Sequence, residues 1–186
     1  MLGRRKLKDQ YTVHNKVELL ESNPAYFDRI EQLILSARHE IHLQTYIIEP
    51  DNTGKRIMEA LLKAASRGVS IYVLADASGT QRLNSEWIGK MTKAGINFRR
   101  YGLLYSRGRF HIGRRLHHKI LVIDGSVSMI GGINISDNYT DTVKSKAWLD
   151  FAVEMHGEVS RKLQLICAKL WSGSLKRKIG KPFHPD

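Results

Sequence analysis

The chain has 186 residues, 42% of them hydrophobic, which is enough apolar material for one buried core and excludes a disordered tail. The 30 Lys and Arg residues against 18 Asp and Glu leave a formal charge of +12 and point to a polyanionic partner, either nucleic acid or an anionic membrane surface. Cys167 is the single cysteine, so no disulfide framework forms within one chain and a reducing compartment is expected; with no run of the ~18 apolar residues of a span and no apolar h-region after MLGRRKLKDQYTV, neither a helical anchor nor a signal peptide is expected.

In chain order, residues 1–15 read as a basic arm carrying Arg4, Arg5, Lys6 and Lys8. KVELL at 16–20 reads as a strand. After Pro24, AYFDRIEQLILSARHE places apolar residues at 26, 27, 30, 33, 34 and 37, the spacing of an amphipathic helix. IHLQTYIIE at 41–49 is β-rich, and Asp51 or Thr53 is placed to cap the helix KRIMEALLKAASRG, which stops at Gly68. VSIYVLAD at 69–76 is a strand, a helix is expected around Ser85 to Ala94 with Gly95 as its stop, and INFRRY is another strand. This alternation predicts an α/β fold, with a mixed, mostly parallel β-sheet flanked by helices on both faces.

Between Arg99 and Lys119 the chain carries basic residues at 99, 100, 107, 109, 114, 115 and 119, and no acid. Gly102, Gly108 and Gly113 punctuate the stretch and Tyr101, Tyr105 and Phe110 interleave with the charges, so it reads as a loop facing a polyanion. Beyond residue 134, SDNYTDTVKSK is a polar loop, WLDFAVEM a strand and GEVSRKLQLICAKLW a helix in which Cys167 is a core thiol. Trp148, Trp171 and the methionines are expected in the core. Residues 16–172 thus form one domain, and residues 173–186 a basic linker or truncated end.

The chemistry concentrates in RLHHKILVIDGSVSMIGGIN, residues 115–134. Side chains alternate faces along a strand, so His117 and Lys119 point one way and His118 the other. Asp124-Gly125 suits a tight two-residue turn, and the returning strand brings Gly131, Gly132 and Asn134 back beside His117 and Lys119. An imidazole, an ammonium, an amide donor and closely approached backbone suit a phosphodiester: the cation and amide hold the non-bridging oxygens, and the imidazole attacks phosphorus or moves a proton. No metal or other cofactor is required.

Written as H-x-K-x4-D-x6-G-G-x-N, the stretch resembles the signature of the phospholipase D superfamily, and the double glycine resembles its cardiolipin synthase branch, as do IHLQTYIIEPDNTGKRIMEALLKAASRGVSIYVLAD and WLDFAVEMHGEV. The resemblance implies an α-β-α sandwich without metal or cofactor. It implies that His117 is the nucleophile of a phosphohistidine intermediate or its acid/base counterpart, that Lys119 and Asn134 hold the phosphate with Gly131 and Gly132, and that Asp124 mainly supports the site. Family members also orient the histidine through a downstream carboxylate, here carried onto Asp150. Such a site takes two motifs, and none of His14, His39, His42, His111, His156 or His184 has a lysine two residues on. The expected partners are therefore phosphatidylglycerol in a membrane surface, met peripherally from the cytoplasmic side, and a second motif-bearing half, in a longer chain or a homodimer. The alternatives are a dimeric nuclease acting on nucleic acid, a non-catalytic polyanion-binding half, and a metal site from His111, His117 and His118.

Overall fold

The computed structural model describes residues 11–102, 105–106, 109–110, 115–141 and 146–173. The arm residues Arg4, Arg5, Lys6 and Lys8, the loop residues Arg107, Gly108, His111, Gly113 and Arg114, and the basic end from residue 174 lie outside the described residues, as do the side chains of Tyr105, Arg109 and Phe110.

The first strand, β1 (Lys16–Glu21), leads into α1 (Pro24–Ser36), whose start follows from local chemistry: the Asn23 side chain accepts the Tyr26 N–H and Pro24 occupies the first turn. Strand β2 (Glu40–Thr45) precedes α2 (Asn52–Ser66), capped by Asp51 through the Gly54 N–H. Next come β3 (Ser70–Asp76), α3 (Ser85–Lys93), β4 (Asn97–Tyr101) and the two-residue strands β5 (Tyr105–Ser106) and β6 (Arg109–Phe110), which pair with each other. Strands β7 (Lys119–Ile123), β8 (Val127–Gly131) and β9 (Phe151–His156) follow, and α4 (Glu158–Trp171) closes the described chain.

Seven strands form one sheet in the order β1-β9-β8-β7-β2-β3-β4. The α/β class and the mixed sheet are as expected, but its pairing is not mostly parallel. Only β2–β3 and β3–β4 are parallel, while β2–β7, β7–β8, β8–β9 and β1–β9 are antiparallel. The cause is connectivity. Helices α2 and α3 bridge the parallel neighbours, whereas a short turn returns β7 into β8 antiparallel, and among the described residues no α-helix lies between β8 and β9.

Helices cover both faces. On one, Phe27, Ile30 and Ile34 of α1 and Ile57, Met58 and Leu61 of α2 pack over Ile41, Leu43, Ile71, Val73, Leu121 and Met129. On the other, Cys167 of α4 sits among Ile120 and Val122, and burial pushes its thiol up to about 12, making it an inert core group. Trp148 does not join the core: its side chain is 60% exposed, beside the exposed Leu149 and Phe151.

Candidate active site

His117 and His118 lie just before β7, which starts at Lys119, and the three ionisable residues there point to alternate sides. Lys119 Nζ lies 3.2 Å from both ring nitrogens of His117 and 3.4 Å from its carbonyl oxygen, so the ammonium and the imidazole occupy one side. His118 turns to the α4 side, where its Nδ1 is 3.0 Å from Gln44 Oε1, while Gln44 Nε2 donates to the Cys167 carbonyl. Because that amide already donates through nitrogen, its oxygen accepts, and His118 carries its proton on Nδ1. Burial, and then the nearby Lys119 and His117, lower the His118 pKa and favour its neutral form. It ties sheet to helix.

Lys119 is 8% exposed. Burial lowers its pKa, and the Asp150 carboxylate acts in the opposite direction. Its other neighbour is Tyr46, just past β2, whose ring centroid is 5.5 Å from Nζ and 5.1 Å from the His117 ring. Tyr46 is thus the wall of the site, and no sequence motif marked it.

Asn134 is buried against the same segment: its Oδ1 accepts the Ile47 N–H at 3.2 Å and its Nδ2 donates to the Tyr139 hydroxyl at 2.8 Å. An amide nitrogen carries two hydrogens, and among the described residues only Tyr139 takes one, which leaves a fixed donor for a ligand oxygen.

The two glycines serve β9 and Asp150 directly. A Cβ on Gly131 would overlap the Phe151 carbonyl and Ala152, and one on Gly132 would overlap the Asp150 carboxylate. The Gly132 N–H is itself donated to the Phe151 carbonyl at 2.9 Å, so it is not open to a ligand. Asp150 Oδ1 accepts the Phe151 N–H at 2.7 Å, and its charge acts on Lys119 and Tyr26. Among the described residues no hydrogen bond joins Asp150 to His117. The carboxylate acts on the ammonium through its charge, without a salt bridge between them among the described residues.

Asp124 is at the other end of β7, about 20 Å from His117 at the usual rise of a strand. Its oxygens accept the N–H groups of Arg38, His39 and Glu40 at 2.9, 2.8 and 2.7 Å, clamping the entry to β2. Burial opposes its charge, but these three donors outweigh it and hold the carboxyl below its usual range. Asp124 and Gly125 both have positive φ, 51° and 61°, and the Ser126 N–H closes the turn on the Ile123 carbonyl. Ile123 pairs with Val127, so the connection has three residues where two were expected. Asp124→Asn is expected to cost about 2 kcal/mol in denaturant unfolding, the scale of hydrogen bonds to a charged group, while the folded variant keeps its His117 environment.

Sequence reasoning also missed Asp76, Ser78 and Tyr139. The signal for Asp76 was available: an acid directly ending the apolar run VSIYVLA. Of the histidines weighed as metal ligands, His117 and His118 face opposite sides and His111 lies outside the described residues; among those described, no three His, Cys, Asp or Glu side chains gather.

The family described as "Cardiolipin synthase, PLD-like domain" matches residues 30–167. Cardiolipin synthase B of Shigella flexneri is 36% identical over 156 residues, covering 82% of this chain and 38% of its own. A cardiolipin synthase of Halalkalibacterium halodurans is 31% identical over 183 residues, covering 97% of this chain and 36% of its own. The chain therefore spans little more than a third of the length of these curated relatives. Among solved structures, the phospholipase D family member Nuc from Salmonella typhimurium superposes with a TM-score of 0.62 at 20% identity, covering 92% of this chain and 100% of that one, a likeness of fold. A matching family over most of the sequence, relatives above 30% identity and the shared fold agree: the chain belongs to the cardiolipin synthase family of phospholipase D-like domains.

Proposed function

We propose that this chain supplies one half of a phosphatidyltransferase site that makes cardiolipin from two phosphatidylglycerols. The observation that carries the reading is the buried Lys119 ammonium against the His117 ring, with the Asn134 amide held beside the same tyrosine-walled segment. In this scheme a His117 nitrogen attacks phosphorus, forming an N–P bond as the bond to the glycerol oxygen breaks. The histidine of the second half protonates the departing glycerol, then takes the proton from the hydroxyl of a second phosphatidylglycerol as that oxygen displaces His117. Lys119 and Asn134 hold the non-bridging oxygens, where charge grows in the transition state. Exclusion of water from the closed site favours transfer over hydrolysis.

The chain meets its lipid from the cytoplasmic side as a peripheral protein. Its charge of +12 supports attraction to an anionic surface, and among the described residues no helix is long and apolar enough to cross a membrane.

An exposed apolar surface supports contact with a second half. Val17, Leu19 and Phe151 are 59%, 68% and 45% exposed and share one face of β1 and β9, continuous with Trp148 and Leu149 beside Asp150. The 186-residue chain is expected to form dimers at micromolar concentration, and Leu19→Glu to return it to monomers in light scattering. A parent chain that stays monomeric would remove this support.

A second reading, a homodimeric nuclease, draws on the charge of +12, which suits nucleic acid as well as anionic lipid. Turnover of a labelled oligonucleotide is to be compared with transfer between phosphatidylglycerols in vesicles. Cardiolipin formation without strand cleavage is the expected result; cleavage without lipid transfer overturns it.

A further inference from the structure

We infer that Asp76 is a positioning residue of the site, a fully buried carboxylate that fixes both the backbone entering His117 and the tyrosine wall behind its ring. Asp76 ends β3 with no exposed surface. Its Oδ2 accepts the N–H of Leu116, the residue before His117, at 2.7 Å. Its Oδ1 accepts the Ser78 N–H at 2.8 Å and the Ser78 hydroxyl at 2.6 Å, and Arg115 Nη1 approaches the same oxygen at 3.7 Å.

The Ser78 hydroxyl lies 3.4 Å from the Tyr46 hydroxyl, and the turn continues with Gly79, whose Cα is so close to the Tyr46 carbonyl that a Cβ there would overlap it. One carboxylate therefore ties together three segments: the strand end at 76–79, the Tyr46 wall against the His117 ring, and residues 115–116 leading into β7. Residues 115–118 belong to no strand, so ladder bonds do not hold the histidine's backbone. On its N-terminal side the Leu116 bond joins it to the end of β3. A carboxylate suits this task because it takes hydrogen bonds on both oxygens, whereas an amide presents an acceptor on one side only.

The inference rests on His117 being the reacting imidazole, and its test separates the two. The 186-residue chain, with histidines labelled with carbon-13, is observed by NMR, and His117→Ala assigns the His117 Cε1–H signal. Asp76→Asn keeps the volume but turns a donor toward either Leu116 or Ser78, so it is expected to displace the His117 signal and its titration midpoint. The signals of His39, His42 and His156, at the other end of the sheet, stay in place. If Asp76→Asn does not fold, Ser78→Ala serves instead: it retains the Leu116 bond, releases the wall, and is expected to give a smaller displacement in the same signal. A His117 signal and titration superimposing on the parent in a folded variant would overturn the positioning role. Turnover surviving in His117→Ala would overturn the proposed chemistry and leave the Asp76 result standing.

Discussion

His117→Ala is expected to abolish turnover, while His118→Ala retains a measurable share of it. The two imidazoles are adjacent in sequence and face opposite sides of the sheet: His117 meets the Lys119 ammonium and the Tyr46 ring, and His118 meets Gln44 under α4. Removing His117 deletes the only nitrogen on the Lys119 side that the scheme uses as a nucleophile, so no covalent intermediate forms. Removing His118 leaves the Gln44 oxygen without its donor, a loss of about 1–3 kcal/mol in stability, with the reacting face intact. Steady-state rates of both variants, measured in the complete two-motif assembly and matched for folded fraction by thermal unfolding, make the comparison. Equal loss from both would remove the face argument on which the assignment stands.

Arg29→Ala is expected to be the most destabilising single change outside the site. Glu154 is 3% exposed in β9, and Arg29 of α1 grips it with both arms, Nε to Oε2 at 2.8 Å and Nη2 to Oε1 at 2.6 Å, while His156 Nε2 is 2.7 Å from Oε1. Truncating the arginine leaves a desolvated carboxylate short of its main partner, for which about 3–5 kcal/mol is typical.

The pH dependence has a definite sign. The Arg29 hydrogen bonds lower the Glu154 pKa, burial opposes them, and His156 adds to the lowering. A carboxyl depressed in the folded state contributes its full stabilisation above its unfolded pKa, about 4.3, and loses it as pH falls through the folded value. The gap between parent and variant should therefore be widest at neutral pH and close in acid. Denaturant midpoints at several pH values test this, and a variant within about 0.5 kcal/mol of the parent at pH 7, the range of an ordinary surface substitution, would show that the pair carries little.

Much of this molecule was legible in short stretches of sequence. Pro24, the choice of Asp51 or Thr53 as a cap and the stop at Gly68 marked helix ends, because caps act within one turn, and the structure selects Asp51. The opposition of His117 and His118 was expected from the alternation of an extended chain, and the structure shows it in the residues that lead into β7. Membership of the family was legible in the spacing from His117 to Asn134.

Only the tertiary structure decided how these pieces answer one another. Strand direction was misjudged after β4 because pairing depends on partners far along the chain, as when Lys16 lies opposite His156. Asp124 serves donors 84 to 86 residues away and Asp76 a donor 40 residues away, separations at which no local pattern operates. Asp150 stands over Gly132 because β9 packs against β8, which also brings its charge to bear on Lys119, and Trp148 is exposed because it precedes β9 at the open β1 edge. A sequence determines which groups a segment carries and which side they take; which carboxylate faces which cation is decided when distant strands choose their neighbours, since burial then makes each remaining charge find its partner in space.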